Sequence, residues 1–210
     1  MPRLSADSLT DAVAELCARE PRFAPVVARH GVPSLRQEAP GIRALLMTVN
    51  DQFLSLAAAA AIWQRVEARL GPCAPATILA CPQEELLTLG LSRAKARSFH
   101  GIATAAQNGS IDWDSLATLE DEAARKALLA LPGVGPWTAD IYLLSVELRP
   151  DVWPWGDLAL QAAAHNLFAL PARPGRPGML ALGERFAPFR AVAARLLWSH
   201  YRDVRGLKQA

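Results

Sequence analysis

Apolar positions along the chain recur at spacings of three and four, and the runs they form are punctuated by Pro, Gly, Ser and Asp. This spacing lines one face of a helix with about 3.6 residues per turn, whereas a half-buried strand alternates with a period of two. No strand-like alternation of useful length is present. The pattern therefore predicts an all-α protein, with helices near 6–19, 22–30, 41–50, 54–70, 75–80, 83–89, 92–108, 121–130, 136–148, 157–169, 178–186 and 189–202. The clearest loop is PARPGRPG, residues 171–178, which is short enough to join packed helices. No long low-complexity linker or internal repeat separates independent domains.

Two stretches stand out from this regular pattern. In SLAAAAAIW, residues 55–63, small side chains allow close approach of backbones, and a crowded helix–helix contact is expected. Just before it, Asn50-Asp51-Gln52 interrupts the apolar ALLMTV, so a break or exposed turn is expected there.

With 51% hydrophobic residues in 210, the chain can bury a core as one large domain or two small lobes. The opening MPRLSADSLTDAVAEL has no apolar signal segment, and no later run reaches the roughly 18 apolar residues needed to span a bilayer. A cytoplasmic protein without a membrane partner is expected. Cys17, Cys73 and Cys81 are too dispersed for a thiolate metal or iron–sulfur site and read as reduced, partly buried residues. His30, His100, His165 and His200 are equally scattered and form no metal or triad pattern. The net charge of +2 identifies no partner, although from Arg149 onward nine basic residues face four acidic ones. A basic face for phosphate and a solvated arginine-rich surface explain that tail equally well.

The chemistry begins at Leu131-Pro132-Gly133-Val134-Gly135, between the amphipathic EDEAARKALLA and PWTADIYLLSV. Gly133 and Gly135 permit positive φ and close backbone approach, Val134 can point inward as an anchor, and Pro136 suits the first helical position. Such a turn leaves amide donors at a helix N-terminus, where the helix dipole favours an anion without any basic side chain. An ordinary αα-hairpin, in which the glycines serve turn geometry alone, is the plainer alternative.

The residues around the turn resemble the helix-hairpin-helix DNA glycosylase superfamily, and within it the DNA-3-methyladenine glycosylase II family. DQFLSLAAAAAIW (51–63), GLSRAKARSFHGIA (90–103) and FAPFRAVAARLLW (186–198) resemble three further family segments in the same order. The resemblance implies a two-lobed fold, with a hairpin-bearing lobe of about 45–150 and a second lobe of about 1–44 plus 151–210; the amino-terminal β domain of some members is not expected, because the residues before the first matched segment look helical. It also implies that Gly133, Val134, Gly135 and Thr138 form the phosphate-binding hairpin. The carbonyls of Leu129, Leu131 and Val134 would hold a monovalent cation, sodium or potassium; no other cofactor is expected.

Asp157, twenty residues after Trp137, resembles the family's catalytic aspartate. An Asp before an apolar helical run is also a preferred N-cap, and the two roles are compatible because a cap fixes the direction of the carboxylate. Cleaving the bond between a purine and deoxyribose builds positive charge on the sugar, which a fixed anion stabilises. A base reacts only after leaving the stack, so something must fill the gap. Phe53 falls at the family's wedge position, with Gln52 beside it to contact the opposite strand or brace the loop; a buried core position is the alternative for Phe53. Trp137, Trp153, Trp155 and Tyr142 are candidates for the base pocket, since indole faces attract a purine made cationic by methylation; packing is the other reading, and for Tyr142 the preferred one. Trp137 also occupies the position at which strand-cleaving relatives carry a nucleophilic lysine, so no lyase step is expected.

Together these features predict a monofunctional glycosylase, acting as a monomer, that excises alkylated purines such as 3-methyladenine and 7-methylguanine from double-stranded DNA. The alternative is a non-catalytic helix-hairpin-helix module for bent or damaged DNA. It needs the turn but not Asp157.

Overall fold

Capping side chains fix five of the helix starts. Ser5, Ser55, Ser92, Asp112 and Asp157 each accept a backbone N–H from the first turn of the helix that follows, removing an otherwise unpaired donor. The computed structural model describes residues 3–35 and 38–204, which form thirteen helices and no strand. The chain divides into two units, one within residues 38–147 and the other combining 3–35 with 148–204.

The first unit contains α3 (Ile42–Asp51), α4 (Leu56–Leu70), α5 (Pro75–Ala80), α6 (Gln83–Thr88), α7 (Arg93–Gln107), α8 (Trp113–Thr118), α9 (Asp121–Leu129) and α10 (Pro136–Ser145). Its centre is α3, which packs on α4, α7 and α10 and buries Leu45, Leu46, Thr48 and Val49 around most of its circumference. The other unit contains α1 (Ala6–Arg19), α2 (Phe23–His30), α11 (Leu158–Leu167), α12 (Arg176–Glu184) and α13 (Arg190–Val204). Here α13 is central, packing on α1, α2 and α11.

Small residues do mediate a close helix contact, but in the second unit. Ala163 and Ala164 of α11 and Ala191, Ala193 and Ala194 of α13 are all buried, and these two helices pack together. The alanine run of α4 faces outward except at Ala59, which corrects the expectation of a crowded contact there. A helix that the pattern did not predict, α8, has six residues and buries only Leu116. It is too short to show a period, and its one signal is local: Asp112 caps it, accepting from Asp114 N at 3.0 Å and Ser115 Oγ at 2.5 Å. α12 starts at Arg176 inside the expected loop, because Pro177 is tolerated in a first turn where no N–H is needed.

The scattered polar residues are satisfied locally. His100 bonds the Cys81 carbonyl, His30 pairs with Asp203 and His200 with Asn166. The three cysteines are free thiols, and burial pushes each above the ordinary thiol value. Among the described residues no group of His, Cys, Asp and Glu is placed to hold a metal ion, and no helix is long and apolar enough to cross a membrane.

Candidate active site

The turn between α9 and α10 is built as tightly as a chain allows. Gly133 has φ +78°, a left-handed conformation that side chains disfavour, and a Cβ placed on it would lie 1.8 Å from Ser98 Oγ of α7. Glycine is therefore required there twice over. Val134 is buried and donates its N–H to Leu131 O at 3.2 Å, anchoring the turn from inside. Gly135 differs from expectation: its φ of −92° suits any residue, and a Cβ there meets nothing within 4 Å. It is the N-cap of α10, where Pro136 takes the first turn and no side chain caps the amides. Arg125 of α9 bonds the buried Asp140 of α10 at 2.7 Å, tying the two hairpin helices together. Burial raises the Asp140 carboxyl above its ordinary value, with Arg125 opposing the rise. Of the three turn carbonyls proposed as cation ligands, Leu131 O accepts from Val134 N. Leu129 O and Val134 O accept no hydrogen bond among the described residues. Neutral oxygens left over in this way suit a hard monovalent cation.

In the same unit, Phe53 is 99% exposed, which excludes the core reading. Its φ of +58° is unusual for an aromatic residue. Such a conformation costs about 1–3 kcal/mol, and leaving the phenyl in water forgoes a further 1.5–3 kcal/mol, roughly, of burial energy. Leu54 and Leu56 are exposed beside it, so the segment forms an apolar projection. Gln52 braces this turn against the hairpin: its side-chain amide donates to Gly133 O at 3.1 Å and to Thr138 Oγ1 at 2.7 Å. Thr138 is 2% exposed, so its hydroxyl makes no phosphate contact and is instead the buried anchor for Gln52. A second brace went unnoticed in the sequence although its segment was singled out. Lys95 of α7 donates from Nζ to Asn50 O at 2.7 Å and Gln52 O at 2.8 Å.

In the second unit Asp157 is half-buried and caps α11, its Oδ1 accepting from Leu160 N at 2.7 Å. The same oxygen accepts from Trp198 Nε1 of α13 at 3.2 Å. Two donors from different helices thus orient the carboxylate. Trp198 was not identified from sequence as a site residue, because a separation of 41 positions carries no periodic signal. Gln161 Nε2 bonds Trp155 O at 3.1 Å and fixes the loop just before the aspartate.

The aromatic candidates divide by exposure. Tyr142 is fully buried in the first unit, and its hydroxyl accepts from Gly41 N at 2.9 Å. With no accessible face it stacks on no ligand, which corrects its place in the base pocket. Trp153 is nearly as buried: its Nε1 donates to Met179 O at 2.7 Å, and Gly183 leaves room for its indole, a Cβ there falling 2.7 Å from the ring. It is a packing residue of the second unit. Trp155 is partly exposed and carries the Arg176 guanidinium over its ring at 5.0 Å, while Trp137 is partly exposed on α10.

A family model described as HhH-GPD superfamily base excision DNA repair protein matches residues 46–188, which include the projecting turn, the hairpin and Asp157. The chain belongs to this family. Among curated relatives, it is 30% identical over 124 residues to the putative DNA-3-methyladenine glycosylase YfjP of Bacillus subtilis, an alignment covering 59% of this chain and 43% of that protein. The chain thus spans less than half the length of this relative. Two solved structures share its fold almost throughout. The 3-methyladenine DNA glycosylase Mag1 of Schizosaccharomyces pombe, solved with abasic DNA, superposes with a TM-score of 0.84 at 27% identity, covering 90% of this chain and 95% of that one. DNA-3-methyladenine glycosidase of Bacillus halodurans superposes with a TM-score of 0.79 at 26% identity, covering 98% and 95%.

Proposed function

We propose that this family member is a monofunctional DNA glycosylase that releases alkylated purines, of the 3-methyladenine and 7-methylguanine type, from double-stranded DNA. The observation that carries the reading is the Asp157 carboxylate, on a partly exposed residue and oriented by Leu160 N and Trp198 Nε1. A fixed anion of this kind stabilises the positive charge that grows on deoxyribose as the base departs, without having to reorganise during the reaction. Water then attacks the sugar, and the products are free base and an abasic site. An alkylated purine is already cationic, so it leaves with little help from an acid. Its charge is also attracted to indole faces by about 0.5–2 kcal/mol, and Trp137 and Trp155 are each partly exposed within their own units.

The first unit supplies the grip. The uncapped amides at the start of α10 take a backbone phosphate, with Gly135 letting the phosphate approach the chain. The carbonyls of Leu129, Leu131 and Val134 would hold a monovalent cation, which adds positive charge on the phosphate side of the turn. Phe53 fills the gap left by the extruded nucleotide, recovering the burial energy it forgoes in the free protein. Trp137 stands where a lyase needs an amine, so no Schiff base forms.

The test is a profile of free bases released from methylated genomic DNA, combined with borohydride treatment of the reaction. Release of methylated purines, alkali-labile abasic sites and no borohydride-trapped covalent complex are expected. DNA binding without any released base would reject the enzymatic reading, and a trapped complex would reject the monofunctional one.

A further inference from the structure

Phe53 stands in water with a left-handed backbone, so something must keep its turn from folding away. The restraints converge from one face of α7. Lys95, Ser98 and Gly101 follow one another at intervals of three on that helix. Lys95 Nζ binds the carbonyls of Asn50 and Gln52, on either side of Asp51. Ser98 fills the space that a side chain on Gly133 would need, and Gly101 makes the same kind of room for Pro132, a Cβ there lying 2.8 Å from its ring. Gln52 joins the two ends of this platform by bonding Gly133 O and Thr138. A single helix face thus sets the projecting turn in register with the hairpin.

We propose that Lys95 is a positioning residue for base extrusion: its ammonium pins the Asn50 and Gln52 carbonyls so that Phe53 stays projected, and it neutralises no DNA phosphate. Its environment agrees with an inward role. Burial draws the Lys95 ammonium below the ordinary lysine value while Asp51 opposes the shift, and burial raises Asp51 against the pull of Asn50 and Lys95. The inference rests on the reading that the protein extrudes a nucleotide and fills the gap with Phe53.

The experiment compares the parent with Lys95→Met, Phe53→Ala and the double variant. Single-turnover release of 7-methylguanine is measured with the lesion paired to cytosine and with the lesion opposite an abasic site, where extrusion is already cheaper. Lys95→Met should slow release from the paired substrate about tenfold, much less from the unpaired one, and the double variant should be no slower than Phe53→Ala because the two residues act through one event. A 2-aminopurine beside the lesion reads unstacking on binding, and Lys95→Met should lose that signal. Losses that add in the double variant, or parental behaviour of Lys95→Met on both substrates, would overturn the proposal. So would a fall of about one in the slope of log affinity against log salt, the mark of a lost phosphate contact. Lys95→Gln, which keeps a donor at this place, carries the same comparisons if Lys95→Met loses its cooperative melt. A parent protein that unstacks 2-aminopurine but releases no base would end the glycosylase reading while leaving the role of Lys95 standing on the fluorescence. A parent with neither signal would end both.

Discussion

Around Gly133 the chain is shaped by what its own atoms exclude, whereas around Asp157 it is shaped by which donors it brings to one oxygen. A Cβ at Gly133 would collide with Ser98 of α7, so a left-handed backbone and a close neighbour together admit only glycine there. Asp157 has no such steric necessity; its orientation comes from a cap at Leu160 and from an indole N–H on a helix that enters 41 residues later. The first region is a tightly fitted shape that ends in uncapped amides at a helix start. The second is a charge whose usefulness depends on being held still. Mutations should accordingly act through stability or affinity in one region and through rate in the other.

The largest effect should come from Asp157→Asn. The amide keeps an oxygen for Leu160 N, so the cap survives, but the anion is lost; base release should fall by about 100- to 1,000-fold with DNA affinity and melting temperature little changed. Single-turnover release together with a binding isotherm checks this, and equal release by both proteins would break the contrast between the regions.

Next come the two glycines of the hairpin, which separate folding from binding. Gly133→Ala combines a left-handed φ with the Ser98 collision and should destabilise the protein by about 1–3 kcal/mol, read as a lower melting temperature. Gly135→Ala strains nothing inside the chain and should melt like the parent, yet bind duplex DNA about tenfold more weakly because the added methyl stands in the way of a phosphate. Parental affinity in Gly135→Ala would remove the phosphate reading of this turn.

Trp198→Phe sharpens the other side. Removing the Nε1 donor frees one restraint on Asp157, so release should slow by roughly threefold to tenfold, the scale of one modest hydrogen bond, with affinity for DNA unchanged. Loss of affinity alone would assign Trp198 to binding.

The smallest effect concerns pH. In the second unit Glu20 is held below its ordinary value of 4.5, chiefly by its hydrogen bond to Arg22 against an opposing burial cost, with Arg185 also attracting it. Its stabilisation is present above that ordinary value and is lost as pH falls through the lowered one. Asp140 in the first unit has the opposite sign: raised by burial, it favours the fold below its ordinary value of 3.8 and loses that contribution as pH rises through the raised one. Melting temperatures measured from pH 7 down to about pH 3 should therefore fall less for Glu20→Gln than for the parent, and more for Asp140→Asn. Parallel curves for all three proteins would contradict both assignments.

The sequence readily revealed what local order encodes. Helix spacing and caps predict most helices, and hairpin chemistry is visible in five consecutive residues because glycine and proline act on their own backbone. The short α8 escaped because one buried leucine makes no pattern. The Thr138 hydroxyl was misread for a different reason: a threonine in the first turn of a helix looks the same whether its hydroxyl meets solvent or a glutamine that lies 86 positions away. Gly135 was credited with a backbone freedom that its extended conformation does not use.

By itself the sequence determined an all-α chain, a helix-hairpin-helix turn, a capping aspartate twenty residues beyond it and an interrupted helix that offers Phe53. These depend on covalent geometry and on neighbours a few residues apart. Only the tertiary structure decided that Phe53 stands in water, that Tyr142 and Trp153 are sealed in, and that Lys95 and Trp198 hold the turn and the carboxylate. Burial and the choice of hydrogen-bond partner arise from helices distant in sequence packing together, and no local spacing records which side chains that packing will bring within 3 Å or so of one another.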